Sequence, residues 1–150
     1  MINNRSVQAD IMLSHIEYQN LPDAISWLTK AFGFREQYRY GDPVAGAQMM
    51  LGKACIMVRQ AEPDHKSPAQ LGYGTQSLTI FVEHVNAVFE KAKAAGAKVR
   101  EAPHETEYGE YQCAFEDLDG HHWLFSRHAR DVRPEEWGAT VAKASDAPGS

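Results

Sequence analysis

Three polar residues carry side chains that suit metal binding or proton transfer. His15 and Glu17 lie two positions apart in a mostly apolar run, and His122 follows a turn late in the chain. Alternate residues of a β-strand point to the same face, so a strand here would place His15 and Glu17 side by side. Imidazole and carboxylate groups bind zinc, manganese or iron, and they also serve as general acid and base. Two plainer alternatives stay open: a polar contact with a bound ligand, or hydrogen bonds among these residues and water.

Aromatic and sulfur-bearing residues point towards an apolar ligand. Tyr108 and Tyr111 lie just before a predicted strand, and a tyrosine can stack on a ring while offering one hydroxyl. Covering the edge of a sheet is the alternative role for these two rings. Met57 is interpreted as core or pocket lining, where methionine tolerates varied ligands. Cys55 and Cys113 have no basic cluster nearby, so both are predicted to be inert buried thiols.

The composition excludes several classes of function. The 150 residues carry 15 Lys and Arg against 20 Asp and Glu, a formal charge of −5, and 43% are hydrophobic, which is typical of a globular domain. No basic block occurs, so nucleic acid is not an expected partner. No apolar run reaches the roughly 20 residues that cross a bilayer, so no membrane association is expected. The first residues lead into no apolar signal region, and two cysteines make no disulfide framework, so a cytoplasmic protein is expected.

The elements that must position these residues form a duplicated unit. Asp23-Ala24-Ile25 is followed by Gly33, and Asn86-Ala87-Val88 is followed at the same interval by Gly96. Each segment is predicted to be a helix that ends at its glycine. The second helix shows an apolar stripe at helical spacing, formed by Val85, Val88, Phe89 and Ala92. Strands are predicted around both helices, at 11–18, 35–40, 47–51 and 54–59 in the first copy and at 78–82, 98–101, 112–115 and 123–126 in the second.

A single domain over residues 9–130 is therefore predicted. Its first half spans 9–60 and its second half spans 76–130, with a linker rich in Pro and Gly over 61–75 between them. Residues 131–150 are interpreted as a C-terminal tail with a short helix that begins at Pro134.

Three segments, in this order, resemble signatures of the vicinal oxygen chelate superfamily, in its PhnB-like or glyoxalase-like branch. They are Asp23-Ala24-Ile25-Ser26-Trp27-Leu28 through Ala31-Phe32-Gly33-Phe34, then Tyr108-Gly109, then Asp117-Leu118-Asp119-Gly120-His121-His122-Trp123. The superfamily contains glyoxalases, dioxygenases, epimerases and bleomycin- or fosfomycin-resistance proteins. The resemblance implies an α+β fold in which two β-α-β-β-β repeats, with curled mixed or antiparallel sheets, form an open cup. It also implies a homodimer, since small members commonly complete their cups in that way.

The same resemblance locates the family's metal ligands, and this chain departs from them. The equivalent positions are Leu13 before the first helix, Ser77 before the second helix and Leu124 on the last strand. Where the branch often has a histidine in its third strand, this chain has Gly46-Ala47-Gln48. Neither leucine nor serine supplies the imidazole, carboxylate or thiolate that a divalent transition metal prefers. No metal cofactor is therefore expected, with a divalent metal held by other residues as the alternative.

Strand alternation around these positions gives the predicted lining of the cup. It places His15, Glu17, Ser77, Thr79, Phe81, His122 and Leu124 there. With Met57, Tyr108 and Tyr111, these are the expected ligand-binding residues. The leading hypothesis is a metal-independent protein that binds a small, partly aromatic molecule. The rival is a lyase, isomerase or dioxygenase that uses His15 and Glu17, and His122 as a possible third group. A third hypothesis is a protein without a ligand that serves only in dimeric interaction.

Overall fold

The computed structural model describes residues 11–143, which form two copies of a β-α-β-β-β unit. The α+β fold predicted from the sequence is confirmed. The first unit contains β1 (Ser14–Tyr18), α1 (Leu21–Phe32), β2 (Arg35–Tyr40), β3 (Gly46–Leu51) and β4 (Ala54–Gln60). A short helix, α2 (Pro68–Leu71), precedes the second unit. That unit contains β5 (Ser77–Phe81), α3 (Val85–Ala94), β6 (Lys98–Glu105), β7 (Glu110–Glu116) and β8 (His122–His128), and a 3-10 helix (Pro134–Trp137) follows.

Each unit forms its own four-stranded open sheet. The strand orders are β1-β4-β3-β2 and β5-β8-β7-β6. In both sheets the first and last strands of the unit pair in parallel, and the other neighbours are antiparallel. A parallel pair needs a crossover, which here includes the helix and the two intervening strands.

Local signals in the sequence define the first helix. The side chain of Asn20 accepts a hydrogen bond from the Asp23 amide at 3.2 Å and caps its N-terminus. Gly33 ends it with a φ of +83°, in the left-handed region that glycine adopts without strain. The predicted glycine end of the helix is therefore what the structure shows.

The two units share one hydrophobic core, which lies on the helix sides of both sheets. Phe32, at the end of α1, reaches the second sheet and packs against Phe115, Trp123 and Phe125, with ring centroids 6.1, 5.5 and 4.9 Å away. Helices α1 and α3 also pack against each other. Because one aromatic ring of the first unit fills the core of the second, the two units hold each other in a fixed arrangement.

Side-chain alternation separates the core face of each sheet from its opposite face. On β1, Ile16 and Tyr18 are buried in the core. His15 and Glu17 therefore lie on the other face of the strand, which we call the concave face, as the sequence predicts.

Strand β6 extends beyond the predicted bounds of 98–101, because the residues that follow continue the pairing with β7. His104 and Glu105 pair with Gln112 and Tyr111. The register shifts between Glu101 and His104, next to Pro103. Proline lacks an amide hydrogen and is tolerated at an edge strand or a bulge, which explains how β6 continues past it.

The two ends of the chain differ from their predictions in detail. The predicted first strand began at Ile11, whereas β1 begins at Ser14. The expected helix of the tail is a single 3-10 turn at Pro134–Trp137, and the predicted tail from 144 onwards and the domain start at 9 and 10 lie outside the described residues. Among residues 11–143, no helix is long and apolar enough to cross a membrane.

Candidate functional site

The concave face of the first sheet carries a row of side chains that crosses all four strands. The pairing places Tyr38 of β2 opposite Gln48 of β3, Gln48 opposite Met57 of β4, and Met57 opposite His15 of β1. Directly paired residues share a face of the sheet, so these four side chains form one line, which we call the Gln48 row. Met50 and Cys55 form the neighbouring pair on the same face.

Tyrosines from the edge strand cover one side of this surface. Tyr40 pairs with Gly46, and a Cβ atom at Gly46 would overlap the Tyr40 phenol ring. The glycine therefore lets the ring lie flat on the strand. Both Tyr38 and Tyr40 remain partly exposed, so their rings are available to a molecule that enters the concave face.

A pocket of about 250 Å³ lies between β1 and the segment that precedes β5. His15 and Glu17 of β1 line this pocket, and so does His121, which directly precedes β8. The segment supplies the rest of the polar and aromatic lining, chiefly His65, Lys66, Ser67, Tyr73, Thr75 and Gln76. The stretch predicted to be a linker therefore forms one wall of the pocket.

Glu17 connects this wall to β1 through hydrogen bonds. Its Oε1 atom accepts a hydrogen bond from the Glu62 amide at 3.0 Å, and the Nδ1 atom of His65 lies 2.9 Å from its Oε2 atom. The Glu62 amide, followed by His65, holds the pKa of Glu17 below its ordinary 4.5 against the opposing effect of burial. In return, the hydrogen bond with Glu17 raises the pKa of His65 above its ordinary 6.5.

The other end of the wall rests on the turn before β8. The Ala69 amide donates to the main-chain oxygen of Asp119 at 2.9 Å. Gly120 has a φ of +86°, and a Cβ atom there would lie 2.6 Å from the Ala69 nitrogen. A glycine is required at this position both by its backbone conformation and by the close approach of α2.

The buried carboxylate of Asp117 organises that turn and joins the two units. Its Oδ1 atom accepts from the amides of Asp119 and His121, both at 3.0 Å. Its Oδ2 atom accepts from the Tyr18 hydroxyl at 2.7 Å and from the Trp123 indole at 2.9 Å. Burial, and then the charge of Asp117, raise the pKa of Tyr18 well above 10.0, so this phenol stays protonated and serves as a donor.

His121 makes a second connection between the units. Its Nε2 atom lies 2.9 Å from the main-chain oxygen of Glu17, and its ring packs edge-on against Tyr18 with centroids 5.0 Å apart. Its side chain therefore contacts β1 at the edge of the pocket.

The second sheet has a concave face of its own. Ser77 pairs with His122, Thr79 with Leu124, and Phe81 with Ser126. Phe81 is 71% exposed, a large value for a phenylalanine on a sheet. These pairings group five of the predicted ligand-binding residues on this surface: Ser77, Thr79, Phe81, His122 and Leu124.

A wider hollow of about 600 Å³ lies at the His122 end of this face. Glu116 lies in its lining with Lys98 and Arg100, whose nitrogens are 3.2 and 3.3 Å from its Oε2 atom. Burial alone would raise the pKa of Glu116, but these two cations lower it overall. His122 lies 4.0 Å from the other carboxylate oxygen, so Glu116 already has three basic neighbours.

The two tyrosines predicted to bind the ligand have protein partners. The Tyr111 hydroxyl donates to Asn86 at 2.7 Å, and the Arg127 guanidinium lies 4.7 Å from the centre of its ring. Tyr111 therefore packs towards α3, whereas its neighbour Gln112 lies on the concave face. Tyr108 donates to Gln112 at 3.2 Å and packs against Trp137, at the rim of that face.

Three residues of the site were not among those predicted from the sequence. Gln48 was noted only for the absence of a histidine nearby, although strand alternation places it on the same face as Met57. His65 lies in a segment without periodicity, so no local signal connects it with Glu17. Asp117 was named only within a family signature, and nothing in the sequence indicates that its four donors come from both units.

The positions equivalent to the family's metal ligands do not fit a divalent metal. Leu13 and Leu124 offer only hydrocarbon, and Ser77 offers a hydroxyl, which is a weak ligand for transition metals. Within the part of the chain that the structure describes, no three His, Cys, Asp or Glu residues are grouped so as to hold an ion.

Comparison with known proteins decides the family. The model of the glyoxalase/bleomycin resistance protein/dioxygenase superfamily matches residues 13–125, which include both units. The chain belongs to this superfamily. The resemblance noted in the sequence is thereby confirmed, and the superfamily member described here retains both repeats of the fold.

The chain is similar to solved structures and to a mycobacterial protein. TioX from Micromonospora sp. ML1 is 30% identical, with a TM-score of 0.67 over 80% of this chain and 99% of TioX. The fosfomycin resistance protein FosX from Listeria monocytogenes shares the fold at 16% identity, with a TM-score of 0.60 over 85% of this chain and 97% of FosX. An uncharacterized protein of Mycobacterium tuberculosis is 26% identical over 140 residues, which are 88% of this superfamily member and 82% of the relative.

Proposed function

We propose that this superfamily member binds a small, partly aromatic molecule on the concave face of its first sheet. The observation that carries the proposal is the Gln48 row with its neighbours: two partly exposed tyrosines, three sulfur-bearing side chains and one buried amide. Methionine sulfur and tyrosine rings both contact aromatic molecules favourably. The pocket beside β1 continues this surface at His15 and Glu17 and offers polar groups for the rest of the ligand.

The bound molecule is held without the family's usual metal. This part of the proposal is supported by the hydrocarbon and hydroxyl groups at positions 13, 77 and 124. Affinity then comes from apolar contact and from hydrogen bonds to the protein. Two free cysteines fit a reducing compartment such as the cytoplasm.

A second copy of the chain completes the cup. Phe81 and the two tyrosines of β2 expose large apolar surface on the concave faces, and such surface is typical of an interaction site. In a homodimer the first sheet of one copy would face the second sheet of the other. The ligand would then lie between the Gln48 row and the surface around Phe81, Thr79 and Leu124.

One observation favours an enzyme as the second candidate. Glu17 contacts the Nδ1 atom of His65, and a carboxylate on Nδ1 orients an imidazole so that Nε2 can accept or donate a proton. The sequence predicts that Glu17 acts with His15, with His122 as a third group, whereas its hydrogen-bond partner in the structure is His65. A lyase or isomerase of this superfamily could use that pair at the pocket. Replacing Glu17 with Gln should then abolish turnover of any substrate found but keep its binding.

Binding of a naphthalene probe tests the leading proposal. Isothermal titration with 2-methoxynaphthalene should show saturable binding that EDTA does not change. Met57→Arg places a charge in the centre of the surface and should weaken binding by at least about tenfold, roughly 1.4 kcal/mol. Glu90→Arg adds the same side chain to the exposed side of α3 and should leave binding unchanged. Equal binding by both variants, with melting temperatures near that of the parent, would rule out this surface.

A further inference from the structure

Gln48 is the most deeply placed polar side chain on the concave face of the first sheet. It is only 2% exposed, and it lies in the middle of the row that crosses this face. Its Nε2 atom lies 3.1 Å from the Cys55 sulfur and 3.9 Å from the Met50 sulfur. Sulfur is a weak acceptor, so the amide group is oriented by these contacts but is only weakly satisfied by them.

The carbonyl oxygen of Gln48 has spare capacity to accept hydrogen bonds. No residue in the described range 11–143 donates to it. Every side-chain nitrogen or oxygen that is fully shielded in that range has a hydrogen-bond partner. The Gln48 Oε1 atom is therefore not fully shielded, and the small exposed part of this side chain includes its acceptor.

The side chains around the Gln48 carbonyl oxygen determine which ligand groups can contact it. Tyr38 lies on one side of Gln48 along the row, and Met57 lies on the other. Met50 lies next along β3 on the same face. A ring that packs on these groups would bring its edge to the amide, and only a group with an O–H or N–H bond could satisfy a carbonyl oxygen there.

We propose that Gln48 is a specificity-determining residue that selects aromatic ligands bearing a hydroxyl or N–H donor. This inference rests on the proposed binding function and specifies the class of molecule that the cup accepts. A ligand without the donor would bury the carbonyl oxygen without a partner, which weakens binding relative to a ligand that satisfies it.

The second sheet provides a natural control, because it also has a glutamine on its concave face. Gln112 is 6% exposed and lies at the centre of its own concave face, opposite Ser126. Its carbonyl oxygen already accepts a hydrogen bond from Tyr108 at 3.2 Å. Gln112 therefore does not need a donor from the ligand, and its replacement should not change the preference for one.

Two probes of nearly the same shape test the assignment. 2-Naphthol carries an O–H donor, and 2-methoxynaphthalene carries the same ring and oxygen without it. The parent protein should bind 2-naphthol about five- to tenfold more tightly, the equivalent of one hydrogen bond. Gln48→Met should remove this preference and keep the affinity for 2-methoxynaphthalene within about twofold, whereas Gln112→Met should keep the preference.

A second measurement needs no substitution. In a 15N-labelled sample, the side-chain amide signal of Gln48 should shift on addition of 2-naphthol and shift clearly less with 2-methoxynaphthalene. Equal affinities in the parent protein, or a preference that survives in Gln48→Met, would overturn the role of Gln48 and leave the binding function standing. Failure of both probes to bind saturably would contradict the binding function as well.

Discussion

The Tyr18 hydroxyl donates a 2.7 Å hydrogen bond to Asp117, a residue 99 positions later in the chain. This contact joins the end of the first strand to the turn that precedes the last strand. Asp117 also orders the backbone of the turn on which α2 rests. The shape of the pocket beside β1 therefore depends on a buried carboxylate that does not itself line it.

Replacing Asp117 with Asn should destabilise the whole fold. An amide has one acceptor oxygen, so at least two of the four donors would face an NH2 group and lose their partner. We expect a loss of about 2–4 kcal/mol in the free energy of unfolding, measured by urea denaturation. Asp131→Asn, at a fully exposed position, should change it by less than about 0.5 kcal/mol, and similar losses for the two variants would contradict the role of Asp117.

Gly120→Ala should show the effect of the close approach of α2. The variant places a Cβ in a left-handed conformation and 2.6 Å from the Ala69 nitrogen. Gly96 has a similar φ of +97° but open space around it, so Gly96→Ala isolates the conformational part, about 1–2 kcal/mol. Gly120→Ala should lose clearly more free energy of unfolding than Gly96→Ala. Equal losses of free energy of unfolding would mean that the close approach of α2 adds no steric cost at this position.

The contact between Glu17 and His65 should depend on pH. His65 has a raised pKa, so its contribution is complete below its ordinary 6.5 and is lost as the pH rises through the raised value. Glu17 has a lowered pKa, so its contribution is complete above its ordinary 4.5 and is lost as the pH falls through the lowered value. The contact is therefore strongest between pH 4.5 and 6.5.

Hydrogen exchange at the Glu62 amide, which donates to Glu17, measures this contact. After correction for the intrinsic exchange rate, its protection should be greatest in that range and should fall towards pH 8. The charges around the pair are Arg59 near Glu17 and Asp64 and Glu62 near His65. His65→Gln should remove the dependence on pH above 6.5, whereas His104→Gln, in β6, should not. Protection that stays constant from pH 6.5 to pH 8 would contradict the contact.

Much of the fold could be predicted because its signals are local. Gly33 caps α1, and Gly96 follows the Ala95 cap of α3 with a φ of +97°. The alternation of Ile16 and Tyr18 with His15 and Glu17 gave the faces of β1. The extension of β6 was missed because Pro103 normally ends a strand, and only an edge position tolerates it here. The family signatures then supplied the arrangement of the two repeats.

The site was predicted less completely because it depends on distant contacts. His65 reaches Glu17 from a segment that has no strand or helix pattern, so only the folded chain brings them together. Tyr111 was expected to face the ligand, but its hydroxyl is bonded to Asn86 and its ring lies under Arg127. Strand alternation could have placed Gln48 on the same face as Met50. Its burial could not have been predicted in this way.

The two thiols should differ in reactivity. Burial raises the pKa of Cys113 to about 11, so its reactive thiolate is scarce at pH 8. Cys55 is only partly buried, on the concave face beside Gln48. The folded protein should react with a thiol reagent at about one site per chain, at Cys55, and 2-naphthol should slow this reaction. Modification of Cys113 first would contradict this placement of the two residues.

Metal analysis of the protein tests the central claim most directly. The protein should be produced in medium supplied with zinc, manganese, iron and nickel, purified without a metal-binding tag, and measured by inductively coupled plasma mass spectrometry beside its titration with 2-methoxynaphthalene. We predict well under one metal ion per chain together with full binding of the probe. About one tightly held ion per chain, with probe binding lost on its removal, would contradict a cup that binds its ligand without metal.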